Sequence, residues 1–145
     1  MCGKHAVGPN HLSTMAEVGA DVMVCLCEEP ELAERYPDYV AWLKAESPGG
    51  RAIWFPIPDL HAPTLEQVRP LLDRLAASLH AGDVLLMHCG AGIGRTGTVA
   101  AALLIDVGVS HPEALSAVAR ARPMAGPEVG AQSRLLEDLA RERGR

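Results

Sequence analysis

An α/β fold, with a central, mainly parallel sheet flanked by helices, is predicted by three observations. Short apolar runs occur at Val22–Cys27, Ala52–Phe55 and Val84–Met87. Longer segments carrying helix caps and helical hydrophobic spacing alternate with them. A glycine-rich stretch joins the last run to another apolar segment, as a strand, a tight turn and a buried helix would be joined.

Taken in order, the first dozen residues are rich in glycine and histidine and are expected to be irregular. Val22-Met23-Val24-Cys25-Leu26-Cys27 is a continuous apolar run, the pattern of a strand covered on both faces. Pro30 is placed to open a short helix that Pro37 should end, and Asp38 to cap a second reaching about Ala45. Ser47-Pro48-Gly49-Gly50 reads as a turn. Ala52-Ile53-Trp54-Phe55 is the next strand, and a loop punctuated by Pro56, Pro58 and Pro63 follows it. Thr64 and Gln67 make a capping box for a helix running to about His80. Pro70 lies inside that helix and lacks a backbone donor, so a kink or a late start is expected there. Val84–Met87 is the third strand, and Thr98–Val107 is apolar enough for a buried helix. Ser110 and Glu113 cap another helix with Pro112 in its first turn, and roughly Glu128–Glu142 forms a last amphipathic one. No repeat, low-complexity segment or linker interrupts the series, so residues 1–145 read as one domain. In such a fold the ligand site lies beyond the carboxyl ends of the strands.

Composition narrows the function. The chain is 48% hydrophobic and 21% charged, as ordinary globular proteins are. No apolar run approaches the ~20 residues of a membrane span, and the start lacks the apolar stretch of a signal peptide. A cytoplasmic location and no membrane partner are therefore expected. The formal net charge of −5 argues against a general nucleic-acid binder but leaves room for a small, locally positive anion pocket. Cys25-x-Cys27, with Cys2 and Cys89 remote, offers no paired C-x-x-C, so neither a metal nor a disulfide framework is expected. No motif implies a cofactor.

The informative stretch is His88-Cys89-Gly90-Ala91-Gly92-Ile93-Gly94-Arg95-Thr96-Gly97. Glycines at 90, 92 and 94 let successive N–H groups curl inward into an anion nest, and the helix beginning near Arg95 adds its positive end. Gly90, Ala91, Gly92, Ile93 and Gly94 would thus cradle a phosphate, and the planar fork of Arg95 would hold two of its oxygens. Cys89 stands at the mouth, where those donors favour a thiolate poised for in-line attack and a phosphocysteine intermediate. A cysteine taken alone is more often a buried, inert thiol. Spacing decides: a shuffled chain of this composition would give His-Cys-x5-Arg-[Ser/Thr] roughly once in a thousand.

His88-Cys89-x5-Arg95-Thr96 resembles the signature of the protein tyrosine phosphatase superfamily. Gly92-Ile93-Gly94-Arg95-Thr96-Gly97 is similar to its small dual-specificity members. That resemblance implies a phosphatase-type P-loop, hydrolysis of phosphomonoesters through phosphocysteine, and a phosphoprotein substrate. It implies that His88 orients the loop and that Thr96 hydrogen-bonds Cys89 and eases breakdown of the intermediate. A leaving alkoxide or phenolate needs an acid. Ile57-Pro58-Asp59-Leu60-His61-Ala62-Pro63 matches the family's acid loop, making Asp59 the general acid and later the base. Asp73, on a helix surface, and Asp83, in a turn, are poorer candidates. Arg122-Pro123 followed by Gln132 matches a third family feature, a glutamine that positions the hydrolytic water, although Pro127-Glu128-Val129-Gly130 departs from the usual form. Cys27 matches a cysteine that, in some members, bridges the oxidised nucleophile, while same-face packing with Cys25 is its plainer role. No aromatic deep-pocket motif precedes the first strand, so phosphoserine and phosphothreonine stay open beside phosphotyrosine. The loop also lacks the lysines of inositol-lipid phosphatases. A rhodanese-like sulfurtransferase and a non-catalytic phosphoprotein-binding module are the competing readings. The first needs neither Asp59 nor Arg95-Thr96, and the second usually loses one of Cys, Arg and Asp.

Overall fold

The computed structural model describes residues 1–47 and 49–144. Four strands, β1 (Cys2–Gly3), β2 (Val22–Cys25), β3 (Ala52–Trp54) and β4 (Leu85–Cys89), form one sheet in the order β1-β4-β2-β3. Every pairing is parallel: Val22 stands opposite Leu85, Met23 opposite Ala52, and Cys2 opposite His88. Parallel neighbours need crossovers, and helices supply them.

The helices divide between the two faces. On one lie α5 (Leu65–His80), α6 (Gly94–Asp106), α7 (His111–Ala121) and α8 (Gly130–Arg143), whose Leu72, Leu75, Val99, Ala102, Val118 and Leu136 pack on Val24 and Met87. On the other lie α1 (Lys4–Val7), α2 (His11–Val18), α3 (Pro30–Ala33) and α4 (Pro37–Glu46), whose Val7, Met15, Leu32, Tyr39 and Leu43 cover Met23, Cys25 and Leu86. The side-chain alternation of β2 therefore feeds both layers, as its unbroken apolar sequence implies.

Several expectations are corrected. The first dozen residues are ordered: β1 pairs with β4, and α2 is capped by Asn10, whose side chain accepts from the Ser13 N–H at 3.1 Å. Strand β2 ends at Cys25 rather than Cys27, and β4 runs on to Cys89, where β1 supplies a partner for its last two residues. Helix α3 stops at Ala33. Pro37 then opens α4 instead of ending the helix before it, so Asp38 lies in the first turn and is not the cap. Helix α5 starts at the Thr64–Gln67 capping box and continues through Pro70 to His80. Pro70 and Glu66, whose carbonyl loses its donor, are both exposed residues, so the helix tolerates the missing bond on its solvent side. Helix α6 begins at Gly94, beside the start expected near Arg95 and ahead of the apolar Thr98–Val107 run, and α8 covers Gly130–Arg143, close to the expected Glu128–Glu142. Pro48, within the expected 47–50 turn, lies outside the described residues.

Candidate active site

All four strands deliver residues to one cavity of about 480 Å³ at their carboxyl ends. Lys4 and His5 follow β1, Glu31 lies beyond β2, Asp59 and Leu60 lie beyond β3, and Cys89 to Arg95 follow β4. Glu128, from the segment before α8, closes the wall.

The loop at the base is short, Gly90 to Ile93, and its shape depends on its neighbours. Gly92 has φ +75°, and a Cβ there would overlap the backbone of Cys2. Glycine is thus required twice over, for conformation and for space. The Lys4 N–H donates to the Gly90 carbonyl (2.9 Å), and Arg122 Nη2 to the Ala91 carbonyl (2.6 Å). Among the described residues, none of the Gly90, Ala91, Gly92 and Ile93 amides donates to a backbone carbonyl. Amides without a backbone acceptor are what an anion nest requires. Cys89, only 2% exposed, lines the same cavity.

Arg95 is nearly enclosed, with its fork largely engaged. Nη1 donates to Glu31 Oε2 (2.7 Å) and to the Ile57 carbonyl (2.8 Å), and Nη2 donates to Glu31 Oε1 (2.8 Å). Nη2 also lies 3.6 Å from Asp59 Oδ1, and Nε is buried with no hydrogen-bond partner among the described residues. Burial opposes the guanidinium charge, but the Glu31 hydrogen bonds and charge, with Cys27 and Cys89 nearby, hold its pKa above the ordinary value. Burial would raise the Glu31 carboxyl. Hydrogen bonds from Arg95 and the Glu28 N–H, with the charges of Arg95 and Lys4, outweigh it and hold that carboxyl below its usual range.

His88 is fully buried between two partners. Its Nδ1 lies 3.3 Å from the Cys89 carbonyl and its Nε2 2.5 Å from Tyr39 Oη. A carbonyl only accepts, so Nδ1 carries the proton, and Tyr39 donates to the Nε2 lone pair. The imidazole thereby bridges Tyr39 of α4 to the Cys89 carbonyl at the start of the loop. Thr96 Oγ1, expected to meet Cys89, is buried and has no hydrogen-bond partner among the described residues.

Asp59 is exposed and accepts from the Leu60 N–H (3.0 Å), while His61 Nδ1 donates to the Asp59 carbonyl (2.8 Å). Leu60 adopts φ +61°, a left-handed conformation costly for a branched side chain and frequent at functional turns. Gln132, expected to position the hydrolytic water, stands at the start of α8. It is 1% exposed rather than solvated, and it lies outside the cavity lining. Its Oε1 accepts from the Glu128 N–H (2.7 Å) and its Nε2 donates to the His61 carbonyl (3.2 Å), tying the Asp59 loop to the Glu128 segment. Cys27 packs with Cys25 and His88. All four cysteines are free.

Sequence reasoning missed Lys4, His5, Glu31, Leu60 and Glu128. Lys4 and His5 lie in a segment expected to be irregular, and Glu31 meets Arg95 across 64 positions. Only the interruption of the usual pattern at Pro127-Glu128 was visible beforehand.

Residues 1–142 match the family described as Swiss Army Knife protein, DSP-PTPase phosphatase domain, PTP-SAK. The chain is similar to the crystal structure of Tk-PTP in the active form, at 30% identity and a TM-score of 0.73, over 97% of this chain and 88% of that one. Kinase associated phosphatase shares the fold at 21% identity and a TM-score of 0.76, over 91% and 75% of the two chains. A curated Arabidopsis thaliana relative is named phosphatidylinositol 3,4,5-trisphosphate 3-phosphatase and protein-tyrosine-phosphatase PTEN1. It is 36% identical over 75 residues, half of this chain but only 18% of that protein's length. Fold and site together define a cysteine-based phosphatase of the protein-tyrosine and dual-specificity class. Within that class, the chain belongs to the PTP-SAK family.

Proposed function

We propose that Cys89 attacks the phosphorus of a phosphoprotein ester in line, forming phosphocysteine while Asp59 protonates the departing oxygen. Asp59 then takes a proton from water, which attacks phosphorus and returns Cys89 as a thiolate with release of inorganic phosphate. The loop amides and the unpartnered Arg95 Nε meet the charge that develops on the phosphoryl oxygens. Glu31 fixes Arg95, and Gln132 acts as a positioning residue for the acid loop. The observation that carries this reading is the lining of a single cavity by Cys89, Arg95 and Asp59.

The lining also bears on the substrate. It contains no Phe, Tyr or Trp to wall a deep slot, which supports acceptance of phosphoserine and phosphothreonine beside phosphotyrosine. Three carboxylates, Glu31, Asp59 and Glu128, balance Lys4 and Arg95, favouring one phosphate over a polyphosphorylated headgroup. We place the enzyme in the cytoplasm, where its thiols stay reduced.

The test is hydrolysis of p-nitrophenyl phosphate by the wild type and Cys89→Ser, followed by a panel of phosphotyrosine, phosphoserine and phosphothreonine peptides and a phosphoinositide. Wild-type turnover abolished in the variant is expected. An inactive wild type would refute the proposal, and formation of thiocyanate from thiosulfate and cyanide would mark a sulfurtransferase instead.

A further inference from the structure

Behind the phosphate loop, on the sheet face away from α5–α8, three soft donors converge. Cys25 and Cys27 pack in the same layer, and the register sets Cys25 opposite His88 on β4, so the imidazole lies close to both thiols. One ligand atom from each lies within 4.8 Å of the other two, and all three residues have no solvent exposure. None of them lines the catalytic cavity.

We propose that Cys25, Cys27 and His88 form a binding site for one Zn²⁺, and that its occupancy switches the phosphatase off.

The chemistry of the donor set favours zinc. Two thiolates and one imidazole are a common zinc-binding combination, and Zn–S near 2.3 Å with Zn–N near 2.0–2.1 Å puts tetrahedral donors roughly 3.5–3.8 Å apart. The observed spread needs side-chain adjustments of only about an ångström. Charge balances as well: Zn²⁺ displaces the two thiol protons, leaving a neutral Zn(thiolate)₂ unit suited to an apolar interior. At His88 the only lone pair is at Nε2, now occupied by the Tyr39 hydroxyl. Zinc would replace that proton donor, and Tyr39 Oη is the oxygen at hand for the fourth position.

Inhibition follows from the other side of the ring. Nδ1 reaches the Cys89 carbonyl, so turning the imidazole toward a metal on β2 shifts the root of the loop that carries the nucleophile. Displacements of this size cost up to about a hundredfold in rate.

The test titrates Co²⁺, as a spectroscopic stand-in for Zn²⁺, into the folded, reduced wild type, Cys25→Val and Cys89→Ser. The wild type and Cys89→Ser should take up one equivalent, with thiolate-to-cobalt charge transfer and the intense visible bands of four-coordinate Co²⁺. Cys25→Val should not, while its metal-free turnover shows that it is folded. Retention of the spectrum by Cys25→Val, its loss in Cys89→Ser, or no stoichiometric uptake by the wild type would overturn the site. One equivalent of Zn²⁺ should lower wild-type turnover at least about tenfold, reversibly with a chelator, and spare Cys25→Val. A zinc-loaded wild type at full rate would overturn the inhibitory role.

Discussion

Most of the Arg95 fork is committed to the protein itself, since Nη1 and Nη2 both donate to Glu31 and Nη1 also donates to the Ile57 carbonyl. Glu31 governs how that guanidinium is aimed. Glu31→Gln removes a charge-assisted pair and is expected to lower kcat/KM about tenfold to a hundredfold, measured on p-nitrophenyl phosphate. The same change tests linkage. Because the folded carboxyl titrates below its unfolded value, it contributes stability above the unfolded pKa, and that contribution is lost as pH falls through the folded one. The gap in Tm between wild type and Glu31→Gln should therefore be full near pH 7 and close in the acid range below about pH 4.3. Asp59→Asn should slow turnover about a hundredfold or more while vanadate binds as before; an unchanged rate removes Asp59 from the mechanism. At this scale legibility followed distance along the chain. Cys89, Arg95 and their glycines are contiguous and readable as a motif, whereas Glu31 has meaning only once the sheet sets β2 beside β4.

Helix α6 shows why element boundaries were harder to read than element types. Its first turn holds two glycines, which argue against a helix by propensity, yet it starts at Gly94 because packing requires them. A Cβ on Gly97 would run into the Gly126 backbone, so Gly97→Ala is expected to cost roughly 1–3 kcal/mol in urea unfolding. The capping box of α5 was legible because its partners are three residues apart, and Thr64→Ala should lower stability by about 1 kcal/mol. Helix α2 carried comparable signals, Asn10 at its start and a left-handed Gly19 at its end, but its short, largely exposed body hid them. Strand β1 had no signal at all, since two residues make no periodicity. Gln132→Ala, which unties the Asp59 loop from α8, should reduce kcat more than it raises KM. An equal effect on Tm alone would make it merely structural.

Over the whole molecule, alternating strands and helices made the parallel sheet and the end that bears the site legible, while the division of the helices between two faces emerges only from packing. Four crossings of the sheet converge on one cavity, and its backing comes from both ends of the sequence order. Residues Cys2 and Gly3 close against His88 and Cys89, so the phosphate loop acquires its rear wall only when segments more than eighty positions apart have met. Pairings so remote close late, since the chain entropy they require is recovered only after nearer contacts form. During refolding from denaturant, helical circular dichroism should therefore return before turnover does. On that order the enzyme should become competent as a last event, when a two-residue strand docks onto a scaffold already built.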